Sequence, residues 1–334
     1  MRAFVTGSTG LLGNNLVRQL VAGGHQVTGL IRSETKARGL LGDLDVTLVR
    51  GDMREVDGFA DALRGCDVLF HTAAYFREYY QPGDHAAALE AINIRGTLAL
   101  LEAADARGLR RCVHVSSGGT IGLKPNGEPG DEETPPAAVA AANLYFKSKV
   151  DGDAALRGWR APNGMGVIEI LPGWIWGPGD AAPTGAGQLA LDFLARKVPA
   201  VPDGGTCVVD ARDVAAAMIA AAERGRPGEK YIVGGTYSTM AEVLAGLERV
   251  SGVRGPRLHL PHGLAMAFAT VSEAVARLTG RPLLISREAV RTMHAKLRMT
   301  SAKAERELDA RFRPLDDTLR DVVAWYRGHP SLPA

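Results

Sequence analysis

Along the first half of the chain, short β-branched and aliphatic runs alternate with longer stretches whose apolar positions recur every three or four residues. The short runs "RAFVTG", "QVTGLI", "VTLVRG", "DVLFHTA", "RCVHVSS" and "GVIEIL" read as strands. Between them, "LLGNNLVRQLVAGG" and "ALEAINIRGTLALLEAADARG" carry helical periodicity and stop at glycines, as helix ends do. Strand, helix, strand in that rhythm predicts an α/β fold: a doubly wound parallel sheet covered by helices on both faces.

After Leu171 the pattern loosens into "PGWIWGPGDAAPTGAG", whose glycines and prolines mark loops. Strand-like "TCVVD" and "EKYIVGG" follow, and helical periodicity resumes at "TMAEVLAGLERVSG". These breaks predict a main domain, the Rossmann-type doubly wound sheet, over residues 1–171 plus about 207–235. A smaller, discontinuous substrate lobe is expected over about 172–206 plus 236–330. The apolar stretch "LAMAFATVSEAVARLTG" is interrupted by Glu273 and Arg277 within one membrane-spanning length, so it reads as a buried or partly buried helix.

The 334 residues, 46% of them hydrophobic, suffice for a large core. Charge is nearly balanced, 39 basic against 37 acidic residues, which gives no electrostatic support for nucleic-acid or membrane partners. Cys66, Cys112 and Cys207 are too widely spaced for a metal pattern, and Met1 runs directly into "RAFVTG" without an apolar leader. The expectation is a cytoplasmic protein without a metal.

Candidate chemistry begins at "VTGSTGLLG", where Gly7, Gly10 and Gly13 join the first strand to the first helix. Glycines there permit a tight turn and let backbone N–H groups approach a pyrophosphate at the helix N-terminus. Gly7, Thr9, Gly10, Leu11, Leu12 and Gly13 are therefore expected cofactor contacts. About 20 residues on, where an acidic side chain would accept from the ribose of NAD, this chain has Arg32. A guanidinium there suits a 2′-phosphate, which predicts a preference for NADP(H), with NAD(H) as the alternative and Ser33, Lys36 and Arg38 as helpers. "GDM" and "HTAA" end the third and fourth strands, placing Asp52, Met53, His71, Ala73 and Ala74 on the ligand-binding edge of such sheets.

At the fifth strand end, Ser116 and Ser117 precede two glycines, and "NLYFKSK" places Tyr145 and Lys149 four residues apart on one helix face. If these converge, Ser117 holds a carbonyl, Tyr145 supplies a proton, and Lys149 lowers the tyrosine pKa from about 10.

Taken in order, the glycine triplet, "GDM", "HTAA", "NIRGT", the strand-five serine, Tyr-x-x-Ser-Lys, "PGWIWGPGD", "DARDVA" and "SAKAERELD" with "DTLRDVVAWYR" resemble an extended short-chain dehydrogenase/reductase over nearly the whole chain. The resemblance implies Tyr145 as general acid/base, Lys149 as its tuner and a ligand of the nicotinamide ribose, Ser117 as the group orienting the reacting oxygen, and Asn93 as a supporting residue. It also places Pro172 beside the cofactor. Gly118 and Gly119 stand where dehydratases carry an Asp-Glu pair, and Leu171 and Trp174 stand where nucleotide-sugar enzymes carry Arg and Asn. With Tyr75, Phe76, Tyr79 and Tyr80, Trp174 and Trp176 are expected to line an apolar pocket. The chain thus looks similar to the dihydroflavonol-reductase group, implying an NADPH-dependent reductase of apolar or aromatic carbonyls. The alternatives are a nucleotide-sugar epimerase with tightly held NAD and, more remotely, a non-catalytic cofactor-binding regulator. Relatives pair through helices near 84–107 and 143–158, which implies a homodimer.

Overall fold

The computed structural model describes residues 1–76, 83–279 and 286–329. The first half is built as alternating units: β1 (Arg2–Thr6), α1 (Leu11–Ala22), β2 (Gln26–Ile31), α2 (Glu34–Leu41), β3 (Thr47–Arg50) and β4 (Val68–His71). α3 (Ala86–Leu89) continues through a π-helical turn, Glu90–Gly96, into α4 (Thr97–Ala106), which leads to β5 (Arg111–Val115). α5 (Ala138–Ala142) and α6 (Leu144–Gly158) then lead to β6 (Gly166–Pro172). The helices form because one face is apolar. In α1, Leu12, Leu16, Val17 and Leu20 are buried and lie on the sheet side.

The second half runs β7 (Trp174–Trp176), α7 (Gly185–Leu194), β8 (Val201–Pro202), β9 (Gly205–Asp210), α8 (Ala211–Arg224), β10 (Lys230–Val233) and β11 (Thr236–Thr239). It closes with α9 (Met240–Ser251), β12 (His259–Leu260), α10 (His262–Thr279), α11 (Arg287–His294), α12 (Ala302–Leu308) and α13 (Leu315–Gly328). α9 is delimited at both ends: Thr239 and Glu242 form a reciprocal cap, and Gly252 ends the helix at φ +71°.

Seven parallel strands form the main sheet in the order β3-β2-β1-β4-β5-β6-β10. The order reverses between β1 and β4, the switch point where such sheets bind ligands beyond their carboxyl ends. A three-stranded sheet, β11-β9-β7, and the short β12-β8 pair belong to the smaller lobe.

The lobe boundaries differ from the sequence expectation. "TCVVD" forms β9 in the small sheet, so the chain re-enters the main unit at α8, which packs on α1, and leaves it after β10. α12 also packs on α8 and β10, whereas α13 packs on α9 and α7 of the smaller lobe. Both β9 and β10 are short β-branched runs, and local texture does not say which sheet a strand joins.

Trp176 also departs from expectation. It is 1% exposed, packed with Phe193, Val208, Val243 and Leu319 in the core of the smaller lobe, and so does not line an open pocket. Trp174, half-buried, meets it edge-on at 4.9 Å between ring centroids. Trp176→Ala is expected to destabilise the protein by about 3–5 kcal/mol. Trp174→Ala should cost clearly less; denaturant unfolding of the two variants checks the ranking.

Candidate active site

The turn after β1 is closed by a hydrogen bond from Gly10 N–H to Gly7 C=O at 2.8 Å, with Gly7 at φ +67°. A Cβ on Gly7 would lie 2.7 Å from Thr72 Oγ1 and 2.9 Å from Ala73 N, and one on Gly13 would collide with the Gly7 carbonyl. Gly7 and Gly13 therefore bring strand, turn and helix closer than any side chain permits. Gly10 caps α1 without a side-chain acceptor, so the first-turn N–H groups point beyond the strand ends uncovered by the cap. A cradle of this shape with a helix dipole at its back fits a dinucleotide pyrophosphate. Leu11 and Leu12 are nearly buried, so they offer backbone rather than side chains there.

Around the adenosine end, Arg32 is exposed just after β2. Ser33 caps α2 through its hydroxyl, accepting from Lys36 N–H at 3.3 Å, and Arg38 pairs with Glu34 at 3.4 Å. Asp52 accepts from Arg54 N–H at 2.9 Å, while Met53 is buried in the core beside α4. His71 is buried with both ring nitrogens engaged, Nδ1 2.7 Å from Thr6 Oγ1 and Nε2 3.0 Å from Thr97 Oγ1. Its imidazole is thus a structural member of the sheet, and only its backbone faces the strand-end crevice. Ala73 and Ala74 are half-buried, with Ala73 N–H donating to Thr6 Oγ1 at 3.3 Å.

Tyr145 and Lys149 occupy the first turns of α6, whose start is fixed by Asn143 Oδ1 accepting from Phe146 N–H at 3.0 Å. Lys149 is 5% exposed; its Nζ donates to the Val115 carbonyl at 3.0 Å and lies 5.9 Å from the Tyr145 ring centroid. The two strand-five serines divide their work. Ser116 is buried and donates to Asp153 at 2.7 Å, whereas Ser117 is half-buried and its hydroxyl accepts from Gly119 N–H at 3.2 Å. A Cβ on Gly119 would lie 2.6 Å from the Phe146 ring, so the bare glycine lets the Ser117 turn press against the start of α6. Asn93 is a clamp. It accepts from Tyr75 N–H at 2.7 Å and donates to the Tyr75 carbonyl and to Ser148 Oγ, 3.2 and 3.1 Å away. Pro172 is buried at the end of β6, its carbonyl facing Gly118.

Several residues beneath the pair were not singled out from the sequence. In strand register, Thr6, His71, His114, Glu169 and Lys230 are successive neighbours across β1, β4, β5, β6 and β10. Lys230 pairs with Asp153 at 2.9 Å and approaches Glu169 at 3.6 Å; Asp153 in turn holds Ser116. Burial pushes Lys149 down to about 8, opposed by the charges of Asp153 and Glu169. Burial, with Asp153 beside it, pushes Glu169 up to about 8, opposed by Lys230. Burial also takes His71 down to about 3 and His114 well below its ordinary value, each further lowered by neighbouring cations. The sheet therefore holds neutral histidines and a carboxyl that keeps its proton near pH 7. No local motif announces such a row; only the alignment of four crossovers would have found it.

Two further residues join the lobes. Asn14 Nδ2 donates to the carbonyls of Gly10 and Gly179 at 2.7 and 3.0 Å, and Asn15 Nδ2 donates to that of Pro178 at 2.8 Å. Adjacent amides on the first cofactor-side helix were the available signal, since both amides are buried and need partners.

The NAD dependent epimerase/dehydratase family matches residues 3–234. The chain belongs to that family. A Synechocystis protein provisionally named a dihydroflavonol 4-reductase is 32% identical over 98% of this chain and 94% of its own length. A Stigmatella aurantiaca protein named 4-hydroxy-2-methyl-3-oxo-4-farnesyl-3,4-dihydroquinoline-1-oxide ketoreductase is 30% identical over 92% of this chain and 91% of its own. The crystal structure of gox2253, 33% identical, matches with a TM-score of 0.84 over 99% of each chain. This member of the epimerase/dehydratase family is accordingly an NAD(P)-dependent oxidoreductase of the extended short-chain dehydrogenase/reductase type.

In this family member the aromatic residues expected near the site are partly committed elsewhere. Tyr75 OH lies 2.7 Å from His85 Nδ1, and Phe76 packs against Tyr145 at 4.8 Å between centroids. Tyr79 and Tyr80 lie outside the described residues. A separate open cleft of about 300 Å³ lies in the smaller lobe among Val201–Gly204, Tyr237 and His259–Pro261, and neither Tyr145 nor Lys149 lines it.

The raised Glu169 has a thermodynamic consequence. Its folded form holds a proton that the unfolded chain releases near the ordinary glutamate value of 4.5, so its contribution to stability falls as pH rises from there to about 8. Glu169→Gln keeps a neutral, isosteric group and is expected to flatten that fall. Thermal melts of both proteins across this range should show the variant's relative stability increasing with pH; parallel curves would contradict the assignment.

Proposed function

We propose that this protein reduces an apolar or aromatic ketone or aldehyde with NADPH. The observation that carries the reading is the buried Lys149 ammonium, one turn after Tyr145 and next to the Ser117 turn. When bound, the reduced nicotinamide supplies a hydride to the carbonyl carbon. Tyr145 gives its phenolic proton to the carbonyl oxygen as that oxygen takes the electron pair of the C=O π bond. The nearby Lys149 charge favours the phenolate left behind, and Ser117 orients the oxygen. Proton uptake from solvent then restores the phenol.

The preference for NADPH rests on Arg32, exposed after β2 where a 2′-phosphate would be met. Small apolar residues Ala73 and Ala74, Phe76 against Tyr145, and Trp174 in place of a polar diphosphate contact support an apolar carbonyl substrate. We extend the reading to a cytoplasmic homodimer formed through α3, α4 and α6, for which light scattering should report twice the chain mass of 35.3 kDa.

Tyr145→Phe is expected to lower NADPH-driven reduction of aromatic ketones at least about a hundredfold while leaving NADPH binding unchanged. Nicotinamide absorbance follows the first and fluorescence titration the second; retained turnover would rule out the assigned acid. Arg32→Ala should weaken NADPH about tenfold and leave NADH nearly untouched, and tighter binding of NADH by the unaltered protein would overturn the cofactor assignment. Tight binding of UDP or dTDP with sugar inversion and no carbonyl turnover would favour the epimerase reading.

A further inference from the structure

α10 places its residues the wrong way round for a core helix. The buried face consists of Ala265, Ala269, Ser272 and Ala276, and the first two pack with Val290 of α11. The larger residues one position earlier point outward: Leu264 is 61% exposed, Phe268 44%, Val271 60% and Val275 46%. Ala267, Thr270 and Ala274 complete the outer surface. From Gly263 to Ala276 the sequence has one charged residue, Glu273. Its carboxylate accepts from the backbone and guanidinium N–H groups of Arg287, both at 2.8 Å, so that charge is turned onto α11. The result is an uncharged apolar stripe along a helix of 18 residues, about 27 Å long. The helix is partly buried, one of the two forms the sequence predicts: small residues bury one of its faces, and its large ones lie outside.

The near-neutral total charge conceals a segregation in the same region. Between Ser251 and Thr300 the sequence carries eight arginines and lysines against two glutamates, a formal +6 that leaves the remainder of the chain at −4. α11 lies directly on α10, with the His262 and His294 rings stacked at 3.7 Å, and it presents Arg291 exposed beside the stripe. Lys296 and Arg298 follow it, both exposed, although Lys296 pairs with Asp203 at 3.0 Å and Arg298 donates to the Gly127 carbonyl at 3.0 Å. Among the described residues no helix is long and apolar enough to cross a membrane.

We propose that α10 and α11 form a peripheral docking surface for an anionic lipid bilayer, with Leu264, Phe268, Val271 and Val275 entering the headgroup boundary and the adjacent basic residues meeting lipid phosphates. An apolar stripe beside cationic residues is the arrangement by which helices lie in a membrane interface. A second copy of this chain is the weaker occupant. A two-fold contact through this face would bring two net-basic segments together, and like charges across an interface oppose association. The proposal rests on exposure and charge alone and is independent of the substrate reading. It gives α11 a functional neighbour as well, because α11 packs on α5, the helix immediately before Tyr145.

Flotation of the full chain with phosphatidylcholine vesicles, with and without phosphatidylglycerol, tests the assignment. Binding is expected to require phosphatidylglycerol and to weaken as salt rises. Phe268→Glu with Val271→Glu should lower it at least about tenfold, and Arg291→Ala about fivefold. NADPH binding and dimer mass should be unchanged in both. Absence of flotation with either lipid, or flotation indifferent to Phe268→Glu with Val271→Glu, would overturn the proposal. So would a loss of dimer mass in that variant, which would assign the stripe to a second copy.

Discussion

A buried ammonium is the constraint around which this molecule is organised. Lys149 reaches the carbonyl at the end of β5 from a helix packed over the sheet, and once there it has almost no water to solvate it. Holding a charge in such a place requires compensating groups that cannot themselves be isolated. Asp153, one turn further along α6, provides the opposing field, and Lys230 and Ser116 satisfy Asp153. The row then continues through two histidines that burial keeps neutral, of which His71 is tied into the sheet by Thr6 and Thr97. The electrostatics of the candidate site is thus a property of five strands and one helix, and a change at β10 is felt at β5.

The fold was legible because its signals are local. Six apolar runs became the first six strands, and the Gly7, Gly10 and Gly13 turn lies between β1 and α1 as its spacing requires. The Tyr145 and Lys149 pairing was equally readable, since a helix alone brings positions four apart together. Ser116 and Ser117 show the limit. Two adjacent hydroxyls have the same local chemistry, and only the position of Asp153 decides which one is consumed by the interior.

What the sequence concealed depends on partners far along the chain. Trp176 reads as a pocket aromatic in a Gly/Pro-rich loop, yet it is enclosed by residues from α7, β9, α9 and α13. The α10 stretch reads as buried or partly buried without saying which face is covered, because hydropathy records content and not direction. Whether Ala or Leu faces the core depends on how closely α11 approaches, and periodicity does not encode that distance. β9 and β10 were interchangeable as strings for the same reason.

The Asn14 and Asn15 amides bind the helix behind the glycine turn to the Pro178–Gly179 segment that opens the smaller lobe, and Tyr326 OH fastens that segment again by donating to the Asp180 carbonyl at 3.2 Å. The helix behind the candidate cradle and the segment that opens the smaller lobe are therefore fastened to each other by the same two amides. Any ligand that favours one position of that segment must, by reciprocity, alter the affinity of the cradle by the same factor.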